Sequence, residues 1–239
     1  AASGRLNGFE ALLRWHSPLL GDVAPARFIA IAEALGLMSE IGNWVAAEAC
    51  RQAREWIDAG HGKFNIAVNV SPQQLRRPGF ARVVEAALRA YDLPGTMLEL
   101  ELTESTALEN LARVQDELDN LKALGLTLSL DDFGTGHSSL SYLKYFALDK
   151  VKIDQTFVRG LPGSKLDASI ARTIVLIGHD LGLVVTAEGV ETRAQAAFLR
   201  GIGCDELQGF LLGRPCAAAE AVRYFDAKPV HGAQRQRSR

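Results

Sequence analysis

Eight carboxylates and one amide recur where short apolar runs end: Glu10, Asn69, Glu101, Glu104, Asp131, Asp132, Asp154, Glu188 and Glu191. Lys152 and Gln208 stand at matching depths. Gathering so many acids is costly, because each is desolvated and repelled by its neighbours, which drives carboxyl pKa values up. Divalent cations remove that cost. Carboxylate and amide oxygens, without His or Cys, suit Mg²⁺ or Mn²⁺. The adjacent pair Asp131-Asp132 can reach two ions, or one ion and its water. Two such ions about 3.5–4 Å apart are a standard arrangement for phosphodiester hydrolysis: one lowers the pKa of a water, and both offset charge on the attacked phosphate.

The pair leads into Phe133-Gly134-Thr135-Gly136 and then His137. Two glycines permit a tight loop beside the acids, and a plain turn is the simpler alternative. The acidic lead-in separates this segment from a dinucleotide fingerprint. His137 reads as a loop or capping side chain, and His16 and His179 as structural. Trp15 and Phe210 could stack on a base or pack into the core.

The elements that must position these residues alternate along the chain. Apolar runs fall at Gly8–Trp15, Phe64–Val70, Met97–Thr103, Leu126–Phe133, Lys150–Asp154, Leu183–Ala187 and Glu206–Leu212. Helical spacing marks Phe28–Leu35, Glu40–Ala59, Gly79–Tyr91, Ala107–Leu124, Lys165–Leu181, Arg193–Arg200 and Ala217–Phe225. Gly36, Gly125, Gly182 and Gly201 punctuate helix ends. Such alternation predicts parallel strands with crossover helices, as an open sheet or a barrel. Seven strands are countable where a closed α/β barrel has eight. The opening Ala1-Ala2-Ser3-Gly4, without Met, is expected of a fragment that starts after the eighth.

Parity within the strands is more telling, since successive side chains point to opposite faces. Leu98, Leu100 and Leu102 oppose Glu99, Glu101 and Thr103; Leu126, Leu128 and Leu130 oppose Thr127, Ser129 and Asp131; Val151 and Ile153 oppose Lys150, Lys152 and Asp154. Asn65 and Asn69 share a face, as do Thr186 and Glu188, and as do Glu10, Leu12 and Arg14. Helices would cover the apolar face, and the polar face would converge inside, at the strand ends where barrels carry active sites. The alternative is a sheet with one wet face.

Composition bounds the rest. The 239 residues are 48% hydrophobic and 23% charged, which excludes a disordered chain, a collagen and a coiled coil. A net charge of −2 offers no polycation for a nucleic acid polymer. Cys50, Cys204 and Cys216 are too widely spaced for a zinc site or a disulfide framework, so a reducing, cytoplasmic setting is expected, as a free protein or the cytoplasmic module of a membrane-anchored one. No apolar run approaches the roughly 18 residues of a membrane span. The expected domain runs over residues 1–226. Residues 227–239, with Lys228, Arg235, Arg237 and Arg239, read as a frayed basic tail, with a lipid or phosphate contact as the other reading.

The motifs, in order, resemble the EAL domain family of cyclic di-GMP phosphodiesterases. They are Gly8-Phe9-Glu10-Ala11-Leu12-Leu13-Arg14-Trp15, Asn69-Val70-Ser71 and Glu101-Leu102-Thr103-Glu104-Ser105. Asp131-Asp132-Phe133-Gly134-Thr135-Gly136, Lys152-Ile153-Asp154, Ala187-Glu188-Gly189-Val190-Glu191 and Gln208-Gly209-Phe210 complete them. The resemblance implies a modified TIM-type (β/α)8 barrel whose first strand is antiparallel and absent from this chain. It implies metal ligation by Glu10, Asn69, Glu101, Asp131, Asp132 and Glu188, supported by Asp154 and Glu191. Lys152 would hold the nucleophilic water, with Glu188 as general base. Glu104 would anchor the loop after Asp132, Arg14 would contact a substrate phosphate, and Gln208 would lie near the substrate.

The implied reaction is hydrolysis of cyclic di-GMP to linear pGpG with two Mg²⁺ or Mn²⁺ ions. A homodimer and upstream sensor or cyclase-like domains are implied partners. A non-cleaving cyclic di-GMP receptor is the binding alternative, and an unrelated barrel enzyme on a phosphorylated metabolite a third. Retention of Glu10, Glu104, Asp131, Asp132 and Lys152 favours the enzyme.

Overall fold

The computed structural model describes residues 1, 3–103, 111–134 and 146–226. Glu104, Thr135, Gly136, His137 and residues 227–239 lie outside them, so the loop-anchoring role of Glu104 and the reading of the tail stay expectations. The chain divides into two compact units, one built on Gly8–Ser129, the other on the first residues with 130–134 and 149–226.

In the first unit, β1 (Gly8–Ala11) is followed by a small antiparallel hairpin, β2 (Trp15–Ser17) and β3 (Gly21–Val23). Helices α1 (Pro25–Ala34) and α2 (Met38–Asp58) lead to β4 (Asn65–Val70). Then come α3 (Pro72–Arg76), α4 (Phe80–Ala90), β5 (Leu98–Thr103) and α5 (Leu111–Ala123). β1 pairs with β4, and β4 with β5, both in parallel. Leu98, Leu100 and Leu102 are buried on one side of β5, and Val84, Leu88, Leu118 and Leu121 are buried on α4 and α5. Each such leucine contributes about 1.5–3 kcal/mol of transfer free energy.

β6 (Thr127–Phe133) has its first residues in that unit and its last in the other. The second unit continues with β7 (Lys150–Ile153), α6 (Gln155–Arg159), α7 (Lys165–Asp180), β8 (Val184–Ala187), α8 (Arg193–Gly201), β9 (Glu206–Leu207) and α9 (Ala218–Ala221). The ladders β7–β8 and β8–β9 are parallel. Ala171, Ile174, Val175 and Gly178 line the buried side of α7. A Cβ on Gly178 would come within 2.5 Å of Val185, so only glycine allows this approach of helix to strand.

The strand order is β1-β4-β5-β6-β7-β8-β9, one strand from each predicted run. The α/β class therefore holds, with helices in the parallel crossovers. The wet-faced alternative does not: Glu99, Glu101, Lys152 and Thr186, all on the polar parity, are buried. Four details differ from the expectation. The first run ends at Ala11, and Trp15 belongs to the hairpin. The last run shortens to two residues. Gly201 is the last helical residue of α8, and the left-handed turn falls on Gly203 instead. The helices α3 and α6 are too short to leave a periodic signal; Ser71 and Asp154 mark their starts.

Two capping boxes follow strands β4 and β8, at Ser71/Gln74 and Thr192/Gln195. Gln195 does more than cap. Its Oε1 accepts the backbone N–H groups of Glu191 (2.9 Å) and Thr192 (2.8 Å), and its Nε2 donates to the carbonyls of Val158 (3.2 Å) and Arg159 (3.3 Å). The turn after β8 is thereby tied to the end of α6. The same turn is stitched to the segment after β9: Val190 N–H donates to Gln208 O (2.9 Å), and Leu211 N–H to Val190 O (3.0 Å). Gly209 sits inside this stitch with φ +151°, where a Cβ would lie 2.2 Å from the Val190 nitrogen. Gly209→Ala should therefore lower stability by about 2–3 kcal/mol, through strain and clash together. The denaturant midpoint would fall at unchanged m-value; an unchanged midpoint would contradict the close approach.

Candidate active site

The sequence-predicted residues fall into two groups, one in each unit. In the first, Phe9 packs on Trp56 with ring centroids 4.9 Å apart, and Trp56 packs on Phe64 at 5.6 Å. With Phe9 turned to α2, strand alternation turns Glu10 to the polar face. The β4–β5 register sets Asn69 beside Glu101. The Asn69 amide Nδ2 donates to Glu10 Oε1 (2.9 Å) and Glu101 Oε2 (3.2 Å), so one amide gathers two carboxylates. Glu101 is only 2% exposed. One layer nearer the strand starts, Asn65 Nδ2 donates to Glu99 Oε2 (2.6 Å). A Cβ at Gly8 would overlap Asn65, so glycine at that position makes room for this layer.

The second group is centred on Lys152, on β7. Its ammonium, 2% exposed, is ion-paired with Glu188, just past β8, and lies 3.7 Å from Asp131 Oδ1 on β6. Asp131 Oδ1 also accepts the Asp132 N–H at 2.9 Å. Asp132 has φ +57°, a left-handed conformation in which non-glycine residues other than Asn and Asp are uncommon. Burial, then the Asp131 and Asp154 carboxylates, push Asp132 above its ordinary value of 3.8, with Lys152 opposing. Asp154 closes β7 and caps α6, accepting Thr156 N–H at 2.9 Å and Thr156 Oγ1–H at 2.5 Å. On β9, Glu206 accepts from Lys150 (2.8 Å), Asn7 (2.5 Å) and Thr186 (3.0 Å). Burial raises the Glu206 carboxyl, but Lys150 and these donors outweigh it and hold the group below its ordinary value.

Arg14 and Glu191 join neither group by a side-chain bond among the described residues. Arg14 is exposed and donates to the Leu13 carbonyl (2.8 Å); Glu191 is exposed and uses its backbone N–H on Gln195. Gln208 is half-buried, held by the β8 turn through its backbone. Trp15 and Phe210 are about half exposed and not core residues: Trp15 meets Phe28 edge-on at 6.0 Å, and Arg214 lies 4.5 Å over the Phe210 ring. His16 pairs with Asp22 (2.8 Å) and His179 with Asp205 (3.0 Å). Sequence reasoning missed Thr156, although an Asp followed two residues later by Thr is a local capping signal. It also missed the Lys150–Glu206 pair, which parity with Lys152 could have found.

The donor chemistry fits a hard dication. The groups offer carboxylate and amide oxygens, with neither imidazole nor thiolate among them. No three His, Cys, Asp or Glu side chains enclose an ion by themselves among the described residues. In one group an amide nitrogen stands between the carboxylates, in the other a lysine ammonium.

Comparison with known proteins matches residues 1–215 to the EAL domain model. The chain belongs to the EAL domain family. This EAL chain is 47% identical over 222 residues to the bifunctional diguanylate cyclase/cyclic di-GMP phosphodiesterase MucR of Pseudomonas aeruginosa, covering 93% of the chain and 32% of MucR. It is 41% identical over 233 residues to the cyclic di-GMP phosphodiesterase NbdA of the same organism, covering 95% of the chain and 30% of NbdA. It thus spans about a third of the length of these curated relatives. A solved structure of the PaMucR phosphodiesterase in complex with c-di-GMP superimposes with a TM-score of 0.87 at 47% identity, covering 92% of this chain and 89% of that one. No helix among the described residues is long and apolar enough to cross a membrane.

The Asp131–Asp132–Asp154 crowding has a measurable sign. A carboxyl raised above its unfolded value destabilises the fold when ionised, and the penalty disappears as pH falls below the unfolded pKa. Asn is tolerated in left-handed backbone. In chelator at pH 7, Asp132→Asn should raise the Tm, by roughly 2–4 °C per kcal/mol of relieved repulsion. Calorimetry should show the advantage fading as pH falls towards 4. A lower Tm at pH 7 would refute the stated crowding.

Proposed function

We propose that this EAL chain hydrolyses one phosphodiester of cyclic di-GMP, giving linear pGpG. The observation that carries the reading is the buried Lys152 flanked by Asp131 and Glu188, in a chain 47% identical to a phosphodiesterase solved with c-di-GMP. The oxygens of Glu10, Asn69, Glu101, Asp131, Asp132 and Glu188 are assigned to two Mg²⁺ or Mn²⁺ ions, with Asp154 and Glu191 in support. When bound, the ions lower the pKa of a water and offset the charge of the phosphate.

The chain's own groups supply the rest. Asn69 aligns the carboxylates of Glu10 and Glu101, and turning its amide over offers Oδ1 instead of Nδ2. Lys152 Nζ is a proton donor only, so it can orient a water through that water's lone pair while the water's O–H points to a base. Glu188, paired with Lys152, is assigned that proton as general base. The water oxygen then bonds to phosphorus, the P–O3′ bond breaks, and the departing oxygen is protonated by solvent. Arg14 is assigned a substrate phosphate, for which the guanidinium fork is suited. Gln208 is assigned a contact near the substrate, and Glu104 the anchoring of the loop after Asp132.

Incubation with cyclic di-GMP and Mn²⁺, followed by chromatography for pGpG, tests the reading; binding without turnover would make the chain a receptor. Glu10→Ala should abolish turnover by removing a ligand oxygen, and near-normal activity in that variant would overturn the metal assignment. Lys152→Ala should slow kcat by about 10²–10³ while Mn²⁺ affinity stays within a few-fold. Loss of both together would make Lys152 structural.

A further inference from the structure

Lys152 and Glu188 are ion-paired near the ends of two adjacent strands, and after each the chain leaves the sheet. Beyond Lys152 it passes Asp154 into α6; beyond Glu188 it makes a turn into α8. The two segments lie side by side. Glu188 N–H donates to Ile153 O at 3.1 Å. A Cβ on Gly189, at φ +64°, would come within 2.5 Å of the Gln155 Cβ, so glycine lets the turn rest on the first residue of α6. At the last residues of α6 the contact is Gln195, 5% exposed. In a capping box the glutamine side chain returns to the N-cap N–H, here that of Thr192 (2.8 Å). The bonds to Glu191 N–H (2.9 Å) and to the Val158 and Arg159 carbonyls (3.2 and 3.3 Å) go beyond that role.

These bonds close a ring. It runs from Lys152 along α6 to Val158, through the Gln195 amide to Glu191, back along the turn to Glu188, and across the ion pair to Lys152. We infer that Gln195 is a positioning residue: its amide fixes the turn after β8 so that Glu188 is held against Lys152. The inference deepens the hydrolytic reading above and rests on it. Gln195 touches neither substrate nor reacting atoms. It acts through backbone, and a displacement of about 1 Å at a reacting group can cost about 10²-fold in rate.

The bridge can be separated from the cap. Gln195→Met keeps the length and loses both ends of the amide. Gln195→Glu keeps the acceptor and sets an oxygen against two carbonyls. Thr192→Val removes the cap hydroxyl that accepts Gln195 N–H (3.2 Å) and keeps the amide. With Mn²⁺ and cyclic di-GMP, both Gln195 variants should lose about 10–100-fold in kcat with KM within about threefold, and Thr192→Val should stay within about twofold of the parent. A second readout needs neither metal nor substrate. In chelator, well below the lowest Tm of the set, acetic anhydride should label Lys152 about 10-fold faster in both Gln195 variants, relative to exposed Lys63, by peptide mass spectrometry, because local opening frees the ammonium. Thr192→Val should leave that ratio unchanged. Unchanged Lys152 labelling in the Gln195 variants, or faster labelling with no loss of kcat, would overturn the inference. Equal effects in Thr192→Val would make Gln195 a helix cap alone. Faster labelling in the Gln195 variants of a parent that makes no pGpG would uphold the positioning and overturn the hydrolytic reading instead.

Discussion

A lysine ammonium at 2% exposure is the constraint around which one of the two groups of candidate residues is arranged. A buried charge without a partner is expensive, and removing one member of a buried pair costs more than the pair itself contributes. Lys152 meets that condition through its ion pair with Glu188, just past β8, and through Asp131 on β6. Its position on β7 therefore dictates which residue types the ends of β6 and β8 can carry. In the other unit the same condition applies with opposite sign: Glu101 is as deeply buried, and the Asn69 amide donates to it. In both groups the deepest ionised side chain is buried and held by a partner from another strand, Glu101 by Asn69 and Lys152 by Glu188.

The strands are layered as well as alternating. Asn65 with Glu99, and Lys150 with Glu206, form complete pairs one layer nearer the strand starts than the acids assigned to chemistry. Crowding increases at the strand ends. Asp132 has two acidic neighbours and a left-handed backbone, a combination that lowers stability where it would raise reactivity.

Much of this was legible from residue order. Two-residue alternation in Leu98–Thr103 and Lys150–Asp154 predicts both the strands and the side on which Glu101 and Lys152 lie, because a parallel strand has no other way to sort its side chains. Motif order pointed to the acids before any distance was known. What escaped was local or distant. The turn of chain after Ala11 depends on a three-residue hairpin with no periodic signal. The grip of Thr156 on Asp154 is a matter of rotamer. Glu206 meets Asn7 across 199 residues of sequence, and no spacing rule connects the two. Arg14 shows the opposite case: its motif is clear, yet its guanidinium rests on its own neighbour's carbonyl.

Gln195 closes the account from the far side of α6. Four backbone groups on two separate turns depend on one buried amide that has both an acceptor and a donor end, and no other side chain of similar length has both. A residue with no part in the chemistry thus ties the helix that follows Asp154 to the turn that follows Glu188.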